Sequence, residues 1–484
     1  MRPNNQLGSQ TPYWLFIASL VSVLVLRRVV AEGMFLDGVI YAVLSRNLSE
    51  GLGSIWAPHF SDTLFPIFSE HPPLAFWLQS FAFGVFGKSI FVEKLYSLTT
   101  FIIQIALIFA LWNRLVSFHP SWRRFAWLPV LFWILVESVP WAYANNLLEN
   151  TLTLFTTLAV YLIVVACEAN RRVSRISLSI VAGLAICAAT LTKGPTGFFP
   201  LVGFGCYWLA IGRIKFSTAV SLTIVMFLAI TAFYAAILLA PEPRAMLLRY
   251  FDVQLLASFA GDRGSVGWYS KLKTFVDAVG VVAIVTAVIL VAGRWTHTRQ
   301  ADDRTLRTAS FLALVALSGS VPIFLSPRVT GLYLNPSIPF FALAFATITV
   351  PVIAHFDSLI GTKRKHFLAM TAVLLVVSLG YAINRWGTIG RDRELLTDLS
   401  TIASMQHLVS PADRWTTAPI CPEDWQYWEL HAYMARYYKT SLRAMNAATD
   451  NYVLASKNCA SIDRLRFKNF TTENTMLDLY MAGK

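Results

Sequence analysis

Residues 68–77 read FSEHPPLAFW and set an acid, Glu70, beside an imidazole, His71, ahead of two prolines. The prolines remove two backbone donors and fix the chain direction, so the ionisable pair stands on a stiff elbow. A carboxylate can orient a hydroxylated substrate. An imidazole can contact phosphate or ligate a metal, with a charge that depends on pH. Five other stretches carry comparable chemistry. GMFLDGVIYAVLSRNLSEG places Asp37 ahead of Val39, Ile40, Val43, Leu44 and Leu48, which recur near helical spacing. A helix start favours an anion, and a simple helix cap is the plainer alternative. ANNLLENTLTLF puts Glu149 where an apolar run begins. Acids at membrane depth are costly and often functional, although capping is again the alternative. LTKGPTGFFP holds Lys193 at the mouth of a tight turn shaped by Gly194, Pro195 and Gly197. A lysine there can snorkel to headgroups or hold a phosphate as a point charge. FAGDRGSVGWY is a Gly-rich stretch with Arg263, and SPRVTGLYLNPSIPFF carries Arg328 and Tyr333 at the entrance to a further apolar run.

The elements that must position these residues are membrane spans. The 484-residue chain is 56% hydrophobic and only 14% charged, where soluble domains carry about 25% charged residues. About eleven apolar runs, at roughly 13–30, 89–112, 125–142, 149–167, 176–192, 195–211, 216–240, 274–293, 308–325, 332–354 and 367–384, each approach bilayer-spanning length. A single signal peptide cannot explain runs repeated along the chain. The loops NRLVSFHPSWRR, EANRRVSR, GRIK, RWTHTRQADDRTLR and GTKRKH are basic and alternate onto one side. The positive-inside rule makes that side the cytoplasm, with a cytoplasmic N-terminus and an outer C-terminus. All six chemical stretches then face outward. The first outer loop, 31–88, is too long for a connector and reads as surface-lying helices.

The expected fold is mainly α. A polytopic membrane domain, 1–384, is followed by a small α/β extracytoplasmic domain, 385–484. In the latter, Leu395, Leu399, Ile402 and Val409 share one helical face, Trp425, Trp428, Ala432 and Ala435 another, and NYVLAS reads as a strand. The net charge of +13 reflects topology and attraction to anionic lipid, and no nucleic-acid motif accompanies it. Cys167, Cys187 and Cys206 read as small apolar residues within spans. Cys421 and Cys459 could pair if their compartment is oxidising, and that pairing stays open. No metal-ligand cysteine spacing occurs.

Four motifs, in order and spacing, resemble the polytopic GT-C glycosyltransferases, near the bacterial aminoarabinose transferases of lipid A and relatives of the protein O-mannosyltransferases. They are DGVIYA from Asp37 to Ala42, HPPLAFW from His71 to Trp77, the LTKGP turn, and RVTGLYLNPSIP with one extra residue before Tyr333. Two positions depart from the family pattern. Gly38 stands where many members have a second acid, which weakens a metal site built on an acid pair, and His71 stands where Lys is common. The resemblance implies inverting transfer of a sugar from a polyprenyl-phosphate-linked donor to a glycolipid, glycan or protein acceptor, at the outer leaflet of a bacterial inner membrane. Asp37 would be the general base. Lys193, Arg263, Arg328 and His71 would hold the donor phosphate where charge develops. Glu70, Glu149, Tyr41 and Tyr333 would orient sugar or acceptor. No metal site is assigned, and the need for a divalent cation stays open. The rival reading is a lipid or sugar transporter or flippase. Its sites usually lie near the midplane on broken helices, whereas these ionisable residues gather at one face.

Overall fold

Apolar runs in lipid must satisfy their own backbone polar groups, and helices do so. The computed structural model describes residues 4–256, 266–296, 301–327, 329–405, 417–471 and 473–483. Among the described residues, nine helical runs are long and apolar enough to cross a membrane, or ten if one bent pair counts as a span. The expectation of eleven differs for two local reasons. Run Arg172–Ile211 is counted once, yet helix Arg172–Lys193 gives way to a 3-10 segment, Gly194–Val202, before helix Gly203–Ile211. The chain folds back there: a Cβ on Gly197 would lie 2.6 Å from the Thr190 nitrogen. The expected span at 125–142 is instead broken into Pro120–Ile134 and Ser138–Ala144, which meet at 82°.

The described chain divides into two compact units. The membrane unit comprises Met1–Arg27, Ser69–Ala75 and Ser97–Asn384. Its basic loops gather at one end. Arg364 (2.6 Å) and Arg124 (3.3 Å) share the buried Asp357 carboxylate, to which the Tyr13 hydroxyl also donates at 2.7 Å. His119 meets Asp302 at 3.5 Å, and Arg114 meets Glu168 at 3.4 Å. Four of the five basic loops are thereby joined, in the alternation read from the sequence.

The second unit comprises Arg28–Phe68, Phe76–Tyr96 and Arg385–Lys484, so first-loop helices and the polar C-terminal segment pack together. Helix Leu36–Ser49 buries Val39, Val43 and Leu44 as its periodicity predicts. It also buries Arg46 and Asn47, polar positions expected to be interspersed on a surface helix. C-terminal polypeptide covers Arg46, and the Asn47 amide donates to the carbonyls of His59 (2.9 Å) and Phe60 (3.0 Å) in the same loop. The segment DWQYWELHAYMARYY was expected to form one helix. It instead runs as a 3-10 turn (Pro422–Gln426), an α-helix (Trp428–Tyr433) and a π-turn (Met434–Tyr438). The first break falls at Tyr427, whose ψ of 80° is not helical; at the last turn the Arg46 guanidinium donates to the carbonyls of Ala435 (2.9 Å) and Arg436 (2.8 Å), satisfying acceptors near a helix end.

Strands β1 (Gly53–Ser54) and β2 (Ala57–Pro58) form a small hairpin. The C-terminal sheet uses β3 (Thr417–Ile420), β4 (Ser441–Ala444), β5 (Tyr452–Ser456), β6 (Phe467–Asn469) and β7 (Leu477–Ala482), in the order β4-β3-β5-β7-β6. β3 pairs in parallel with β4 and β5, and β7 pairs antiparallel with β5 and β6. The NYVLAS strand is β5. Helix Arg393–Ser404 buries Leu395, Leu399 and Ile402, while Val409 lies outside the described residues. Cys421 and Cys459 are disulfide-bonded, with Cα atoms 6.3 Å apart.

Candidate active site

Two antiparallel helices bring the first charges together. Glu149 lies in the first turn of helix Leu148–Glu168, and Lys193 is the last residue of helix Arg172–Lys193. Each charge complements its helix end: an anion at the N-terminus, a cation at the C-terminus. Because the helices run antiparallel, those ends adjoin, and the Lys193 ammonium donates to Glu149 Oε1. Glu149 is 3% exposed and Lys193 16%, so the pair is largely desolvated. The ammonium also sits 5.2 Å from the centre of the Tyr333 ring, within cation–π range. Tyr333 is presented by the short 3-10 turn Gly331–Leu334. The structure thus assembles Glu149, Lys193 and Tyr333 from three separate stretches.

The turn after Lys193 requires glycine. Gly194 has φ of +68°, and a Cβ there would lie 2.0 Å from the Tyr250 hydroxyl. Tyr250 ends helix Pro241–Tyr250 and is a residue that sequence reasoning missed. Only its place in the long connection between the apolar runs at 216–240 and 274–293 hinted at it. Next to Glu149, the Asn150 amide donates to Ser97 Oγ (2.9 Å) and to the Ala142 carbonyl (3.1 Å), fixing the entry to that helix. Glu70 and His71 belong to the same unit. Both are half-buried, and the elbow prolines beside them are buried. Arg263 and Arg328 lie outside the described residues.

Asp37 and Tyr41 belong to the other unit. Asp37 is the second residue of helix Leu36–Ser49 and is half-buried. The cap position is Phe35, so the carboxylate has the first turn without being the N-cap. Tyr41 is buried, its ring centre 5.6 Å from that of Phe76. The strand of chain leading into this helix is held by a residue the sequence did not flag. Lys94, 2% exposed, donates to the carbonyls of Ala31 and Gly33 and reaches Arg28 O at 3.3 Å. Tyr433 adds a second hold, its hydroxyl accepting from the Met34 N–H at 3.1 Å and lying 2.7 Å from Asp392 Oδ2. Among the described residues, the one grouping with metal-ligand geometry is Cys421, Glu423 and Cys459, and its two sulfurs are bonded to each other.

Residues 70–239 match the dolichyl-phosphate-mannose-protein mannosyltransferase family, a segment that includes the elbow, Glu149 and Lys193. No curated protein matches the chain in sequence. In three dimensions it is similar to ArnT from Cupriavidus metallidurans bound to undecaprenyl phosphate, with TM-score 0.64, 14% identity, and 97% of this chain and 98% of that chain covered. It is similar to the same protein in the apo state, with TM-score 0.63, 14% identity and the same coverage. The chain is thus a polytopic membrane protein with the GT-C glycosyltransferase fold, and its segment 70–239 carries the sequence pattern of the mannosyltransferase family.

Proposed function

We propose that this protein transfers a sugar from a polyprenyl-phosphate-linked donor to a hydroxyl on a glycolipid, glycan or protein, with inversion. The acceptor oxygen attacks the anomeric carbon, the bond from that carbon to the phosphate oxygen breaks, and polyprenyl phosphate departs. Asp37 accepts the acceptor proton as general base. The leaving group is an anion, so catalysis rests on positive charge held where that anion forms. Lys193, Arg263, Arg328 and His71 supply it, and Glu70, Glu149, Tyr41 and Tyr333 orient sugar and acceptor. In this reading the site faces outward from a bacterial inner membrane, with a cytoplasmic N-terminus, and the domains are those read from the sequence, 1–384 and 385–484.

The observation that carries the reading is the Lys193 ammonium, held by Glu149 within the family-matched segment and set against the ring of Tyr333, which lies beyond it. A lysine so fixed presents its charge without reorganising. The polyprenyl phosphate partner is supported by the fold likeness to ArnT, which was crystallised with undecaprenyl phosphate. The test is release of polyprenyl phosphate by purified protein offered a panel of polyprenyl-phosphate monosaccharides with membrane lipid extract as acceptor. Wild type should release it, and Asp37→Asn and Lys193→Met should lose at least about a hundredfold in rate, as removal of a catalytic acid–base or electrostatic group does. Full activity in Asp37→Asn would move the base elsewhere. No release with any donor or acceptor would favour the transporter reading.

A further inference from the structure

A cavity opens at the far end of the membrane unit from Lys193. It encloses about 290 Å³ and is lined by Arg114, Arg213, Arg304 and Arg307, with an apolar wall that includes Phe118 and Tyr207. Two carboxylates border it, and both are engaged: Glu168 with Arg114 at 3.4 Å and Asp303 with Arg307 at 2.7 Å. Among the described residues, Arg213 and Arg304 have no carboxylate ion pair. They are nonetheless positioned, since Arg213 lies beside the Tyr207 side chain on the cavity wall and the Arg304 guanidinium lies 4.5 Å from the Phe118 ring centre.

Its place in the fold separates it from the Lys193 site. Glu149 and Glu168 stand at opposite ends of helix Leu148–Glu168, which has 21 residues. At 1.5 Å per residue the two ends lie about 30 Å apart, close to the thickness of a bilayer's hydrocarbon core. The arginine cavity therefore opens at the other membrane surface.

We infer that this cavity binds a phosphate group, brought either by an anionic phospholipid headgroup or by a free phosphate. Guanidinium forks match phosphate oxygens bidentately, and two of them here are set in place without a carboxylate in direct ion-pair contact. The apolar wall beside them suits the glycerol backbone and first acyl carbons of a lipid. A purely topological role for these arginines needs no convergence on one cavity and no stacking partner. The inference does not depend on transfer activity, and the test does not measure it.

The test measures binding to the full chain purified in detergent. Native mass spectrometry reports the affinity of phosphatidylglycerol against phosphatidylcholine with the same tails, and calorimetry reports inorganic phosphate. The variant Arg213→Gln/Arg304→Gln is compared with Arg171→Gln/Arg172→Gln, which removes the same charge from exposed positions at the same end but outside the cavity. The cavity variant should bind about tenfold more weakly or worse, the effect of losing a charge-assisted hydrogen bond, while the control stays within about twofold of wild type. Selective phosphatidylglycerol binding identifies a lipid headgroup; inorganic phosphate binding lost in the same variant identifies a free phosphate. Equal weakening in both variants would mean diffuse surface charge and overturn the inference, as would absence of both kinds of binding in wild type. Matching thermal midpoints for the two variants exclude misfolding as the cause.

Discussion

Replacing Arg436 by methionine should destabilise the protein severely, although Arg436 lies outside every motif. Its side chain is 2% exposed and that of Glu93 is 1%. Arg436 grips Glu93 with two hydrogen bonds, Nε to Oε1 at 3.1 Å and Nη2 to Oε2 at 2.8 Å. Nη2 also donates to the Ser89 carbonyl at 2.8 Å, and the guanidinium lies 5.2 Å from the Phe83 ring centre. Arg436→Met removes all of this and strands a carboxylate away from water. Breaking a buried pair from one side costs about 3–5 kcal/mol. For a unit of this size, each kcal/mol moves the midpoint by roughly 2–4 °C, so a drop of about 6–20 °C follows. The assay is a tryptophan-fluorescence melt in detergent at one scan rate, because membrane proteins often unfold irreversibly. Glu93→Leu/Arg436→Leu serves as the second arm. With both charges gone it should recover most of the loss, since an apolar replacement of a whole buried pair is often neutral. A midpoint for Arg436→Met within about 2 °C of wild type, or a double variant worse than the single one, would refute the reasoning.

Further outcomes are expected in the same unit and at the turn. The Cys421–Cys459 bond spans a sequence separation of 38, so Cys459→Ser should lower stability by about 4 kcal/mol on loop-closure entropy, read as a lower melting midpoint that added reductant reproduces in wild type. Burial holds the His431 imidazole below its usual value, partly opposed by the hydrogen bond from its Nε2 to the Trp425 carbonyl. The unfolded chain then takes up a proton at higher pH than the folded one. The contribution of His431 is present above about pH 6.5 and is lost as pH falls below it, by at most about 1.4 kcal/mol per pH unit. Melts between pH 7.5 and 5.5 should show that slope in wild type and a flatter one in His431→Gln. Gly194→Ala should cost about 1–3 kcal/mol through backbone strain and should displace the Tyr250 hydroxyl. A melt and a transfer assay matching wild type would count against that turn's part in the site.

What was legible in the sequence is what depends on near neighbours. Spans follow from runs of apolar residues, the gathered loops from their basic content, and the Lys193 turn from a lysine followed by glycine and proline. Glu149 and Lys193 could be singled out one at a time because each stands at the end of an apolar run. Their pairing needed the antiparallel packing of two helices. The broken run at 120–144 was not read as broken, because the Glu137 that stands in its 82° bend is one acid in an otherwise apolar stretch, which a single span can also carry. Tyr250 was not legible either, since the space it fills exists only because residue 194 has no side chain.

The largest gap concerns the helix that carries Asp37. Arg46 and Asn47 read as ordinary polar positions of an amphipathic helix, and that pattern is the same whether water or folded polypeptide covers them. For Asn47 the cover is near, the carbonyls of His59 and Phe60, but for Arg46 it comes from far along the chain: the carbonyl of Arg436 that accepts from it is 390 positions away, and the hydroxyl of Tyr433 that holds Met34 is 399 away. Lys94 was equally mute, because a lysine near the start of an apolar run normally reads as a headgroup anchor. Buried instead against backbone carbonyls, it has no snorkelling route and sets the path of residues 28–33 into the helix. The helix that carries Asp37 is held at Met34 and Arg46 through contacts that no local window contains, which is why a sequence reading could find the candidate base and miss what holds it in place.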